Sequence, residues 1–269
     1  MNGVRDRDQF RRLVAALEPW LDQVVIVGGW AHQIYRLHPH AQDLDYLPLM
    51  TVDADVAVPA NLTVGEEDIR ARLKAQGFEE EFLGDDHPPA THYRLGGEAS
   101  EFYAEFLTPL VGGEYDRNQR RKATMEIAGI VSQRLRHIEL LLHHPWSINF
   151  EFDGFAAKIQ FANPVSFVAQ KVLIHQKRER EDRAKDILYM HDTLEVFGAR
   201  LPEMQKLWRR IVAPQLRDRN ANTVSKASEV LFGNLSDDIR RAAEISEERA
   251  LAPEAIREAC QYGFTQVFE

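Results

Sequence analysis

Apolar residues recur at helical spacing through Phe10, Leu13, Val14, Leu17, Trp20 and Leu21, behind Asp8, and predict a capped first helix. Val24-Val25-Ile26-Val27 then closes on Gly28-Gly29, the pattern of a short buried strand feeding a tight turn. Trp30–Leu37 predicts a helix, while residues 38–50, with two prolines and no period, read as an inserted loop. Thr51–Val58 alternates and stops at Pro59, which predicts a strand, and Glu66–Gln76 predicts a helix ended by Gly77. Alternating segments follow at Phe78–Leu83, His92–Leu95 and Glu101–Leu107, with further strands or fragments at Ile138–Leu142, Ser147–Phe152 and Ala156–Phe161. After Pro164 the period is helical, over Val165–Lys177, Glu181–Phe197, Glu203–Ile211, Ser225–Phe232, Asp237–Glu248 and Glu254–Tyr262. The pattern predicts an α+β protein, a small mixed β-sheet domain over 1–163 followed by an α-helical domain over 164–269.

Composition narrows the class. The chain has 269 residues, 44% hydrophobic and 28% charged, which excludes wholesale disorder and low-complexity architecture. The net charge of −9 argues against non-specific coating of DNA, which rests on neutralised phosphates, but leaves room for a local basic groove. The lone Cys260 permits no intramolecular disulfide and reads as a small core residue. The first residues lack the apolar core of a secretory signal and no apolar run approaches the ~18 residues of a membrane span. A cytoplasmic protein with no membrane partner is expected.

Three segments carry candidate chemistry. Glycines in Val27-Gly28-Gly29-Trp30 allow close backbone approach, and a helix start behind them offers N–H groups to an anion. In Thr51-Val52-Asp53-Ala54-Asp55-Val56, a strand would project Asp53 and Asp55 on one face with Val52, Ala54 and Val56 toward the core. Adjacent carboxylates repel unless a cation lies between them, and such oxygen donors suit Mg²⁺ with substrate phosphates. In Glu101–Pro109, Glu101, Tyr103 and Glu105 share a face, and a neighbouring strand would bring Glu105 to the Asp pair as a third ligand. Each segment also reads as an ordinary turn or half-exposed strand.

Together, the Gly-Gly turn, the D-x-D strand and the later carboxylate resemble the nucleotidyltransferase fold of the DNA polymerase β superfamily. The resemblance implies two divalent ions, Mg²⁺ or Mn²⁺, held by Asp53, Asp55 and Glu105. It also implies phosphate binding by Gly28 and Gly29, and transfer of a nucleoside monophosphate from an NTP to a hydroxyl. Trp30 stands where the family often has Ser. Asp53 lies 24 positions after Gly29, longer than the family's usual spacing, which Asp43-Leu44-Asp45, beginning 14 positions after Gly29, matches better. Asp53 and Asp55 are the preferred pair, because their segment is β-patterned whereas Asp43 and Asp45 lie between Pro39 and Pro48.

The helical half opens at Asn163-Pro164 and carries Lys171 seven positions after the proline, then Lys185-Asp186. This resembles bacterial nucleotidyltransferase-like proteins related to AbiEii-type abortive-infection toxins. It implies Lys171 and Lys185 as nucleotide phosphate ligands and an acceptor among RNA, protein or small molecules. The alternative is a non-catalytic nucleotide-binding or partner-binding protein of a toxin–antitoxin or defence system. Ordinary surface ion pairs are the plain reading of the two lysines. Arg117, Arg120, Arg121 and Lys122 form the densest basic cluster, read as a solvated loop or an RNA contact, and His92 is one of several scattered histidines.

Overall fold

The computed structural model describes residues 3–63, 67–96, 101–246 and 249–269; Glu66 and Glu248, the expected ends of two helices, lie outside them. The chain divides into two compact units, one of residues 1–31 and 50–162, the other of residues 32–49 and 163–269. All but the last residue of the segment read as an inserted loop therefore belongs to the helical unit.

The first unit opens with helix α1 (Gly3–Ala16). Asp8 lies inside it rather than at its cap, with its carboxylate taken by Arg11 and Arg12 one turn on. The helix stops short of Pro19, which opens a separate 3-10 turn, Glu18–Trp20. Strand β1 (Val25–Val27) leads into α2 (Gly28–Tyr35), and β2 (Asp53–Ala57) into α3 (Ile69–Ala75). Asp68 caps α3, accepting from the Ala71 amide at 2.7 Å.

The sheet is completed by β3 (Phe78–Leu83), β4 (Ala90–Leu95), β5 (Tyr103–Pro109), β6 (Thr124–Ile127), β7 (Ile130–Leu135), β8 (Trp146–Phe152) and β9 (Phe155–Phe161). Its order is β3-β4-β5-β2-β1-β9-β8, with β7 on the far part of β5 and β6 beside β7. Pairing is mixed: β2 and β7 run parallel to β5, β9 parallel to β1, and the other neighbours antiparallel. The β6–β7 hairpin turns on Ala128 and Gly129, both at positive φ, as a two-residue turn requires. Ile138–Leu142 is the short helix α4, not a strand. Five apolar residues are too few to show a period, and Ile138, Leu140 and Leu141 all bury their side chains. Phe10, stacked on Trp30 at 4.1 Å and edge-on to Phe150, joins α1 to the sheet's core.

The second unit is built on α5 (Pro164–Ile174) and α6 (Arg180–Val196). Asn163 caps α5, accepting from the Ser166 amide at 2.8 Å, with Pro164 in the first helical turn. Nearly every residue of α6 from Ala184 to Val196 is buried, so it has no polar face to read from sequence. Around it come α7 (Leu201–Leu207), α8 (Asp218–Ser225), α9 (Ala227–Val230), α10 (Asp237–Glu244) and α11 (Pro253–Phe268). The helix expected over Ser225–Phe232 is split between α8 and α9. Among the described residues no helix is long and apolar enough to cross a membrane.

Candidate active site

The sheet register assembles the candidate site from three neighbouring strands. Val27, the last residue of β1, pairs with Asp55 on β2, and Asp55 pairs with Glu105 on β5. Asp53 pairs with Tyr103 in the same ladder. Alternation leaves Asp53, Asp55, Tyr103 and Glu105 half-buried, while Ala54, Val56, Ala104 and Phe106 go into the core. Val52, expected to face the core, lies one residue before β2 and is exposed.

Gly28 is required at the end of β1. Its φ is +59°, and a Cβ there would lie 2.0 Å from Asp55 Oδ2. The Asp55 carboxylate thus fills the space a side chain would need, which places it against the backbone at the start of α2. Gly29 follows in the first turn of that helix.

The acidic groups act on one another. Burial, reinforced by the negative charge of Asp53, raises the Glu105 carboxyl to about 6. Burial and then the charges of Asp53, Glu105 and Asp55 push the Tyr103 phenol up to about 12. Thr51 Oγ1 donates to Asp53 Oδ1. Glu105 is flanked by two further side chains: His92 Nε2 contacts Oε1, and Gln133 Nε2 donates to Oε2 at 3.4 Å. The His92 ring stacks on Tyr103 at 4.4 Å and 17° and is held below the ordinary imidazole range, chiefly by burial. Beyond it, Glu81 pairs with His92 across β3 and β4 and takes two hydrogen bonds from Arg94.

These donors fit a hard divalent cation: carboxylate oxygens from adjoining strands, with a negative field strong enough to raise a neighbour's pKa. The cage is not closed as the side chains stand. Among the described residues no three His, Cys, Asp or Glu side chains are gathered closely enough to hold an ion; Glu105 contacts His92 and Asp53 accepts from Thr51.

The remaining expected residues lie elsewhere. Asp43 and Asp45 are exposed, off any strand, in the second unit. Lys171 is buried on α5, its Nζ donating to Asp186 Oδ1 at 2.6 Å and lying over the rings of Phe167 and Tyr189. Lys185, on α6, lies 5.9 Å from the Tyr189 ring. Asp186 also faces the Arg178 guanidinium at 3.5 Å. Glu101 is exposed before β5 begins.

A family model described as nucleotidyltransferase matches residues 6–213. The chain belongs to the nucleotidyltransferase family. No curated protein matches it significantly. Among solved structures it is similar to an antigenic nucleotidyltransferase-like protein from Paracoccidioides brasiliensis, at 15% identity over 93% of each chain with a TM-score of 0.35, a likeness too distant to carry an argument. The family model describes nucleotidyltransferases in general and does not itself bear on the AbiEii-type branch.

Sequence reading of this nucleotidyltransferase family member did not single out His92 or Gln133. Neither belongs to a motif; each reaches Glu105 only because β4 and β7 both pair with β5. The one signal was the alternation around His92, which marks a strand but not its neighbour.

Proposed function

We propose that this chain is a metal-dependent nucleotidyltransferase that moves a nucleoside monophosphate from an NTP to an acceptor hydroxyl. The observation that carries this reading is the Val27–Asp55–Glu105 register, which sets the glycine turn and the carboxylates side by side on a rigid sheet. Asp53 and Asp55 would hold Mg²⁺ or Mn²⁺, two ions in the family's pattern, with Glu105 completing one site. Bound ions would neutralise charge on the triphosphate and acidify the attacking hydroxyl. The backbone at Gly28 and Gly29 admits phosphate oxygens closely. The acceptor oxygen forms a bond to the α-phosphorus as the bond to pyrophosphate breaks. The hydroxyl proton passes to Glu105, whose raised pKa of about 6 makes it an effective acceptor near neutral pH. Phosphate binding by Lys171 and Lys185 rests on the sequence pattern alone.

The test is incubation of the purified chain with Mg²⁺ or Mn²⁺, each labelled NTP and total RNA. Labelled product with release of pyrophosphate is expected, and Asp53→Asn with Asp55→Asn should lower the rate by about a thousandfold. Full activity in that double variant overturns the reading. NTP-dependent thermal stabilisation without product would favour the non-catalytic binder.

A further inference from the structure

A cavity of about 340 Å³ in the first unit opens between the β3–β4 connection, the end of β5 and the β6–β7 hairpin. Its wall includes Gln133, the residue whose side-chain amide reaches Glu105 Oε2. The cavity and the carboxylate site thus share this residue. Three cations line it: Arg121, Lys122 and Arg134. Two carboxylates, Asp86 and Glu114, line it as well, but Glu114 is paired with Arg136 at 3.2 Å. The lining thus carries an excess of cationic donors beside an acidic catalytic row.

The donors are not used up. Arg134 Nε is buried and, among the described residues, has no hydrogen-bond partner. A buried guanidinium N–H without an acceptor is costly, and a bound oxyanion supplies the missing acceptor. Lys122 Nζ donates to the Val111 carbonyl at 3.3 Å. Arg121 and Lys122 come from a folded loop rather than a loose one. Asp116 Oδ1 accepts from the Asn118 and Arg120 amides, and Tyr115 and Arg121 form a β-bridge. Tyr115 and Val111 stand exposed on this loop.

We infer that this cavity is a phosphate-binding site and that it seats a backbone phosphate of a single-stranded RNA acceptor beside Glu105. Arg134 and Arg121 supply planar N–H pairs suited to phosphate oxygens, Lys122 supplies a point charge, and Tyr115 offers an exposed ring on which a neighbouring base can stack. The placement beside Glu105 rests on the proposed transfer reaction; binding of the phosphate does not. The overall charge of −9 is no obstacle, because the cations are concentrated where the acceptor lies.

The test is binding of a short fluorescent single-stranded RNA to the full chain in EDTA, so that metal and catalysis play no part. Arg134→Gln, and separately the pair Arg121→Gln with Lys122→Gln, should each weaken binding by about tenfold. The pair should also lower the slope of log affinity against log salt by roughly 0.7 per removed cation. Arg117→Gln, on the same loop but outside the cavity lining, should change affinity by less than about twofold. Unchanged melting temperatures exclude misfolding as the cause of a loss. Competition by inorganic pyrophosphate or phosphate, lost in Arg134→Gln, supports a phosphate site. If those ions bind there and the RNA does not, the site serves a free phosphate and the acceptor assignment is overturned. Equal RNA affinity in wild type and the cavity variants overturns the site itself. Binding that persists in Asp53→Asn, Asp55→Asn would separate this site from the fate of the transfer reading.

Discussion

The buried carboxylates of the helical unit and the half-buried carboxylate row of the sheet sit in opposite surroundings. Among the described residues of the helical unit the buried carboxylates, Asp186 and Asp192, are each matched with a cation. Asp192 receives both Arg249 hydrogen bonds at 2.8 and 2.9 Å, and Asp186 receives Lys171 at 2.6 Å. Arg249 also stacks over Tyr46 at 3.9 Å and donates to the Leu47 carbonyl, so this pair fastens residues 32–49 to the helices of their unit. Burial pushes the Asp192 carboxyl up, but the His191 hydrogen bond and the neighbouring His32 and Arg249 hold it below the usual range. In the carboxylate row the direction reverses: burial, and then the charge of Asp53, raises Glu105. The lesson is that matched charges lock structure, while carboxylates placed to repel one another leave a field for a ligand to satisfy.

That contrast can be broken by substitution. The largest effect is expected at Asp192→Ala and Asp186→Ala, which strand Arg249 or Lys171 without its carboxylate. Each should cost about 3–5 kcal/mol, or roughly 10 °C in the thermal midpoint. In the double variant Lys171→Met, Asp186→Leu most of that loss should return, because two apolar side chains replace the buried pair; a double variant as unstable as the single one would show the pair is not the cause. If this stable double variant also loses activity, Lys171 has a role beyond its ion pair.

Gly28→Ala comes next. A methyl group would collide with the Asp55 carboxylate and sit at positive φ, costing on the order of 1–3 kcal/mol and displacing the carboxylate. Urea titration reads the stability, and transfer activity should fall with it.

Glu105→Gln should run the other way. A carboxyl whose folded pKa lies above its unfolded value destabilises the fold once ionised, so stability is lost as pH rises from about 4.5 to about 6. The variant should therefore be more stable than wild type at pH 8 by about 1–2 kcal/mol and equal to it near pH 4. Equal melting curves at both pH values would mean that the repulsion is absent. The smallest effect is expected from Mg²⁺: a millimolar addition should raise the thermal midpoint of wild type by a few degrees and leave that of Asp53→Asn, Asp55→Asn unmoved.

Much of the fold was legible because it rests on local pattern. β3 falls on Phe78–Leu83 as expected, β1 ends at the glycine turn, and α5 starts at the proline after its Asn cap. The misses have physical causes. The β6–β7 hairpin lacks the Asn-Gly or Asp-Gly turn that announces such a hairpin, using Ala128-Gly129 instead. α4 is too short for periodicity, and α10 and α8 depart from their expected ends. Of the site, Asp53, Asp55 and Glu105 were readable as residues on strand faces. The partners of Glu105 were not, since His92 lies 13 positions before it in the chain and Gln133 lies 28 after it.

By itself, then, the sequence determined the elements, the alternation that turns the carboxylates outward and the family to which the chain belongs, because these depend on neighbours along the chain. Tertiary structure decided which strand lies beside which. That pairing sets Asp55 between Val27 and Glu105, and long-range packing gives residues 32–49 to the helical unit and gathers Arg121, Lys122 and Arg134 around one cavity. Strand order is a property of long-range packing, and no local period encodes it.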